Sequence, residues 1–366
     1  MSIEEFIIFV YVIIEELYPI VVTQPLRTRG FPPAVTDAEI ITMQIVGEFL
    51  GLDTDKNIWM YFKNNWLEWF PKLGSYPNFC KHCANLWHVS QSIMAQLIQR
   101  YGSDNIHFID GFPLPVCSYT RARKHKNFKE YAGFSYCAAK QEKYYGFKAH
   151  IVINLSGMIS GYTFAPAHCD ERDVAPEITN DIYGLLGADK GYLRPELKRY
   201  YEYQGIDLQT PFRKNMIDFR PKETLQILMK ARRKIETVIG QLTDRFHIQK
   251  VRAKDLWHLT HRITRKILSH TICVVLNKKL GHSPIQFENL ILSWDWRSQY
   301  IEEARQAFDV KYAQISLVDA GQVHTPASPL AEAVESPIHA AQRREESICT
   351  HLVYQNEALV IEDIQR

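Results

Sequence analysis

From Asn105 to Phe246 the hydrophobic period switches repeatedly between two residues and 3.6, and the order of those switches constrains the fold more than any other feature of the chain. Asn105–Val116, Tyr144–Asn154 and Met158–Ala167 read as strands, the last two joined through a tight Leu155-Ser156-Gly157 turn. A helix capped by Asp170 follows to about Tyr183, then a buried strand that ends at Asp189 and a helix over Pro195–Tyr203. A strand over Asp207–Phe212 and a long amphipathic helix over Glu223–Phe246 complete the block. Three strands, helix, strand, helix, strand, helix is the order of an α/β mixed five-stranded sheet flanked by helices. In it strands one and four lie side by side and the last helix packs on one face.

Within that frame, three acids stand where a site could form. Asp189 lies at the mouth of strand four, bracketed by Gly187 and Gly191, which allow close approach of backbone or ligand. Capping of the Pro195 helix is one use for it, and metal binding is the other. Partners for the second use are Asp110, inside the first strand, and Glu236, at the edge of the apolar stripe formed by Leu228, Ile235, Ile239, Leu242 and Phe246. Arg232 falls within the arc of that stripe, where an unpaired charge is costly, so it is expected to pair with a carboxylate or a phosphate. Asp170, Glu171 and Asp173 sit in the first turn of a helix, where acids favour the dipole, and need no catalytic reading.

Residues 1–104 read as an all-helical domain. Thr36-Asp-Ala-Glu39 is a capping box followed by Ile40, Ile41, Ile45, Val46, Phe49 and Leu50 at helical spacing, and further helical patches cover about Asn57–Trp69, Asn78–Trp87 and Ser90–Tyr101. Trp59, Tyr61, Trp66 and Trp69 suggest a small aromatic core. The apolar run Phe6–Ile14 is interrupted by Glu15 and Glu16, far short of the about 20 residues a bilayer requires, and no secretory signal is readable, so a cytoplasmic protein without a membrane partner is expected. Seven cysteines without regular spacing argue against a disulfide framework, and Cys80-x-x-Cys83 lacks the second ligand pair of a zinc site. A helix over Asp255–Leu280 closes the middle block, and from Gly281 the texture turns to Ala, Ser, Pro and acids, as in an acidic C-terminal extension over 281–366.

The net charge of +2 conceals a division. Residues 1–104 hold 7 Lys+Arg against 11 Asp+Glu and residues 281–366 hold 6 against 13, whereas residues 105–280 hold 30 against 17. A basic middle segment that also contains the three acids points to a polyanion partner. Its most basic part, Ser118–Lys148, reads as a loop with Arg121, Arg123, Lys124 and Lys126 interleaved with aromatics. It suits either a solvated charged loop or cations on phosphates with rings stacked on bases.

Phe-Ile-Asp110-Gly-Phe-Pro, the Tyr-Gly-Phe-Lys-Ala-His run at 145–150, Ala-Asp-Lys-Gly-Tyr at 188–192 and Arg-Arg-Lys-Ile-Glu-Thr at 232–237 together resemble bacterial insertion-sequence transposases of the DDE class, over about residues 1–280. The resemblance implies an RNase H-like catalytic domain at 105–280 in which Asp110, Asp189 and Glu236 are the catalytic carboxylates. It implies two Mg²⁺ or Mn²⁺ ions, Asp110 bridging both and Asp189 and Glu236 holding one each. It further implies cutting of phosphodiester bonds at element ends, joining of the 3′ ends to target DNA, and work as a homodimer on double-stranded DNA at the nucleoid. Lys148, Lys190, Arg232 and Arg233 join the loop cations as expected DNA contacts. The N-terminal domain would recognise DNA ends or dimerise. Met229 and Thr243 stand where many relatives carry a Tyr and a Lys, so no role is carried over to them, and the tail from Gly281 has no counterpart. A nuclease of the same fold that does not join strands, and an inactive DNA-binding descendant, are the alternatives.

Overall fold

The computed structural model describes residues 1–138, 140–211 and 219–291, with short pieces at 317–319, 322–324 and 342–343. Five helices open the chain: α1 (Ile3–Val21), α2 (Asp37–Phe49), α3 (Asp55–Asn65), α4 (Tyr76–Ala84) and α5 (Trp87–Tyr101). The capping box read at Thr36 forms, with the Glu39 amide donating to Thr36 Oγ1 at 3.1 Å and the Thr36 amide to Glu39 Oε2 at 2.6 Å. The helical core is built from Ile58, Phe62 and Phe70, while Trp59 and Trp66 pack at its rim and Trp69 is exposed.

The sheet follows: β1 (Ile106–Cys117), β2 (Gly133–Cys137), β3 (Glu142–Asn154), β4 (Ile159–Pro166), β5 (Gly184–Ala188) and β6 (Ile206–Gln209). β1 pairs antiparallel with β3 on one side and parallel with β5 on the other, and β6 extends the parallel part beyond β5. β4 and β2 share the far edge of β3, β4 along Phe147–Ile153 and β2 along Glu142–Gly146. Three antiparallel strands continued by two parallel ones is the expected RNase H-like mixed sheet, and β2 makes a sixth strand. The segment expected to be a loop from Ser118 to Lys148 thus contains a short 3-10 turn, Tyr119–Lys124, then β2 and the first half of β3. The β3–β4 turn is held by Asn154, whose Oδ1 accepts from the Ser156 and Met158 amides at 3.0 Å each, and by Gly157 at a φ of +84°.

The remaining helices are α6 (Glu171–Val174), α7 (Pro195–Tyr203), α8 (Lys222–Asp244) and α9 (Leu256–Lys279). The helix expected from Asp170 to Tyr183 stops after Val174 and passes into a 3-10 turn at Ala175–Ile178, because Pro176 has no amide to donate and its ring blocks the preceding turn. On α8 the buried stripe is Ala231, Ile235, Val238 and Leu242, so its centre is shifted from the one read with Leu228 and Ile239. Arg232 therefore lies outside the buried arc and is exposed.

α9 is buried on nearly every side, which an amphipathic reading does not anticipate. Its charges survive there because they are paired: Arg265 with Glu48 of α2 and Asp55 of α3, and Lys266 with Glu48 at 2.5 Å. One hydrophobic cluster runs from α1 and α2 through α9 to α8 and one face of the sheet, and a second lies between the other face and α7. Met1–Ile291 is one compact unit. It extends past Gly281, with Phe287 and Leu290 buried and Asn277 Nδ2 donating to the Pro284 and Gln286 carbonyls at 3.1 Å each. In the second unit, Leu292–Arg366, the described residues are three short antiparallel strands at Leu317–Asp319, Gln322–His324 and Gln342–Arg343.

Candidate active site

Parallel pairing of β1 with β5 sets Ile109 opposite Ala188, so Asp110, inside β1, and Asp189, just past the end of β5, follow as neighbours. Strand alternation gives both acids the same face. Asp110 alternates with Phe108, Phe112 and Leu114, which pack in the cluster that holds Ala231, Ile235 and Val238 of α8. Asp189 alternates with Gly187, where a Cβ would stand 2.2 Å from the Phe108 ring, so only glycine lets the two strands carry that ring between them. The two aspartates accordingly look toward α8.

Each aspartate is oriented by a backbone amide: Gly111 N–H donates to Asp110 Oδ1 at 2.7 Å, and Lys190 N–H to Asp189 Oδ1 at 2.7 Å. Asp189 is exposed and Asp110 half-buried. Burial pushes the Asp110 carboxyl up to about 6, Asp189 adds to the push, and the Gly111 amide, Lys148 and Arg232 pull against it.

Glu236, the third expected acid, is carried on the helix that packs against both strands. It does not join the pair. Its Oε1 accepts from Arg232 Nε at 3.2 Å, both side chains are more than half exposed, and Arg232 is at the same time close enough to act on Asp110. Arg232 is thus ion-paired with Glu236 and adds only the smallest of the electrostatic pulls on Asp110. The oxygen donors have the chemistry of a Mg²⁺ or Mn²⁺ site, but their arrangement is not that of one: among the described residues no three His, Cys, Asp or Glu side chains come close enough to hold an ion.

The expected DNA contacts divide into two groups. Arg121, Arg123 and Lys124 in the 3-10 turn are exposed, as are Lys126, Lys190, Arg232 and Arg233. Lys148 is half-buried and ion-paired with Glu171, and burial pulls its ammonium down. Glu171, expected only to favour a helix dipole, also stands over the turn after Asp189, its Oε2 3.1 Å from where a Cβ on Gly191 would be.

Beneath the aspartates lie further polar groups that no local pattern marks. His150 is fully buried next to Gly111 with both ring nitrogens unpartnered, and burial brings it down to about 4. The buried Tyr192 hydroxyl is also unpartnered and held well above its ordinary range by burial first, then by Asp110. Asp170 caps α6 through the Arg172 amide at 2.9 Å and gathers the side chains of Arg172 and Arg194, so the acidic cluster at 170–173 is an ion-pair network.

Residues 101–256 match the family model described as a transposase DDE domain. Over those residues the chain is similar to a transposase DDE domain. The matched region includes all three acids, the basic 3-10 turn and the whole sheet, and it ends as α9 begins. Among solved structures, a piggyBac transposase in a synaptic complex with hairpin DNA, determined by cryo-electron microscopy, aligns over 85% of this chain and 82% of its own, at 10% identity and a TM-score of 0.42. No curated protein matches. Among the described residues no helix is long and apolar enough to cross a membrane.

Proposed function

We propose that the protein is a DNA transposase that cuts phosphodiester bonds at the ends of an insertion sequence and joins the freed 3′ ends to target DNA. The observation that carries this reading is that Asp110, inside β1, and Asp189, just past the end of β5, follow the last parallel pair of those strands inside the DDE-matched region. Asp110, Asp189 and Glu236 are the catalytic carboxylates in this reading, with divalent metal as the cofactor. A bound divalent cation would supply charge stabilisation at phosphorus and activation of an attacking oxygen. In the arrangement described here the third ligand is engaged by Arg232, so no step is derived through the ion.

The chain's own residues support the rest. Exposed Arg121, Arg123 and Lys124 on one turn and Lys126 just after it, with Lys190 beside Asp189 and Arg233 beside Arg232, offer cations to phosphates. Arg232 is suited to release Glu236 when a phosphate takes its guanidinium, since an exposed pair four residues apart on a helix is worth only about 0.3–0.5 kcal/mol. We assign residues 105–280 to catalysis, residues 1–104 to end recognition or dimerisation, and leave 281–366 without a role. The expected setting is a homodimer assembled on double-stranded DNA in the nucleoid.

Two labelled duplexes test the reading, one carrying the element's end and the other a target. Incubation with Mg²⁺ or Mn²⁺ should yield cut ends and joined products, and Asp110→Asn should abolish both while leaving DNA binding intact. Cutting without joining identifies a nuclease. Binding without either reaction identifies the inactive descendant, which the Arg232–Glu236 contact favours as the second reading.

A further inference from the structure

The N-terminal helical segment holds 7 Lys+Arg against 11 Asp+Glu, which counts against nucleic-acid contact if its charge is averaged. The fold does not average it. A cleft of about 400 Å³ opens between the chain from Arg27 to Val35 and the helix α4. Arg27, Lys72, Lys81 and His82 line it together with the amides of Asn78 and Asn85, and no Asp or Glu lines it. Three of the segment's seven cations thus share one concave surface, and no acid lines it.

The cleft has a built floor. Asp37, only 7% exposed, accepts from both terminal nitrogens of Arg27 at 3.1 and 2.9 Å and from the Tyr18 hydroxyl at 2.6 Å, and it pairs with His82. That anchors Arg27 and His82 from beneath. Lys72 and Lys81 are exposed above them and have no carboxylate partner among the described residues. At the lip stands Phe31, 98% exposed and stiffened by Pro32 and Pro33.

Unpaired cations with amide donors in a concave site suit phosphate oxygens, and a bare ring beside them suits a sugar or a base. We propose that this cleft binds the phosphate backbone of DNA, as a second DNA contact besides the turn at Tyr119–Lys124. The proposal rests on the transposase reading and deepens it, by giving the acidic N-terminal helices a specific means of holding DNA.

Fluorescence polarisation of the full-length chain on a labelled duplex, read over a range of salt concentrations, tests it. Each phosphate that is no longer neutralised flattens the slope of log K against log salt by about 0.9, so K72Q/K81Q should flatten it by about 1.8. The pair K56Q/K63Q removes two exposed cations of the same segment away from the cleft and should leave the slope unchanged. Phe31→Ala should weaken binding with no change of slope. All variants replace exposed side chains, and unchanged melting temperatures would confirm that they fold.

A wild-type chain that binds DNA with K72Q/K81Q indistinguishable from it overturns the cleft and leaves the transposase reading standing. Equal losses from both pairs reduce the effect to net charge and likewise overturn it. A wild-type chain that binds no duplex overturns the transposase reading and the cleft with it. If inorganic phosphate raises the melting temperature of wild type but not of K72Q/K81Q while their DNA slopes coincide, the cleft takes small phosphates and the DNA proposal is overturned.

Discussion

Replacing Asp110 by Asn should make the protein more stable at alkaline pH. The carboxyl sits against the α8 face of the sheet beside Asp189, and its midpoint in the folded chain is up at about 6, against 3.8 for an unperturbed Asp. A difference of about 2 pKa units, at about 1.4 kcal/mol each, is about 3 kcal/mol. The sign follows from where the proton is held. Between 3.8 and about 6 the folded chain keeps the proton and the unfolded chain has lost it, so stability falls as pH rises through that window. Above about 6 the whole penalty is present, and below 3.8 it vanishes. Asn has the same shape, carries no charge, and its Oδ1 can still accept from the Gly111 amide, which now donates at 2.7 Å.

Thermal melting of both proteins from pH 4 to pH 8, without divalent cation, measures the difference. The variant should melt higher at pH 8 by about 6 °C, taking about 2 °C per kcal/mol for a unit of this size, and the gap should close toward pH 4. Addition of Mg²⁺ should then raise the wild type more than the variant, because the variant has lost one of the carboxylates that offer the ion a charge. An Asn variant no more stable than wild type at pH 8, or a gap that stays constant with pH, would refute the burial argument.

The remaining expectations concern three other places. Neutralising Arg121, Arg123, Lys124 and Lys126 together should weaken DNA binding equally on all sequences and flatten the salt slope by about 0.9 for every phosphate these side chains hold, as read by polarisation. Arg232→Gln removes a cation that pulls Asp110 down, so the carboxyl's midpoint, followed by NMR of a labelled Asp, should move upward from about 6. A midpoint that stays put would show that the guanidinium does not sense the pair. Deleting the chain from Leu292 should leave the melting temperature unchanged, whereas deleting it from Gly281 removes the buried Phe287 and Leu290 and should cost several kcal/mol, about 3–5 for a large side chain removed from a core. Equal melting of the two truncations would contradict the packing of that segment.

Apart from β2, periodicity determined the order of strands and helices from β1 to α9, because hydrophobic spacing and caps such as Asp170 are local and each segment states its own period. The residues around Asp110, Asp189 and Glu236 also carried the resemblance to DDE transposases, which the match over residues 101–256 bears out. Local reading failed where a rule was broken inside one element, as at Pro176, or where β2 was masked by the charged residues around it. The tertiary structure alone decided which charges meet. Asp110 and Asp189 are 79 residues apart and become neighbours only through the parallel register of β1 with β5. The buried pairs of Arg265 with Glu48 and Asp55, the tie between Lys148 and Glu171, and the cationic cleft of Arg27, Lys72 and Lys81 join residues from separate elements. Arg232 and Glu236 are one helical turn apart, so their pairing was open to the sequence. That Arg232 also acts electrostatically on Asp110 depends on how α8 lies across the sheet, and the pattern of a single helix contains no record of it.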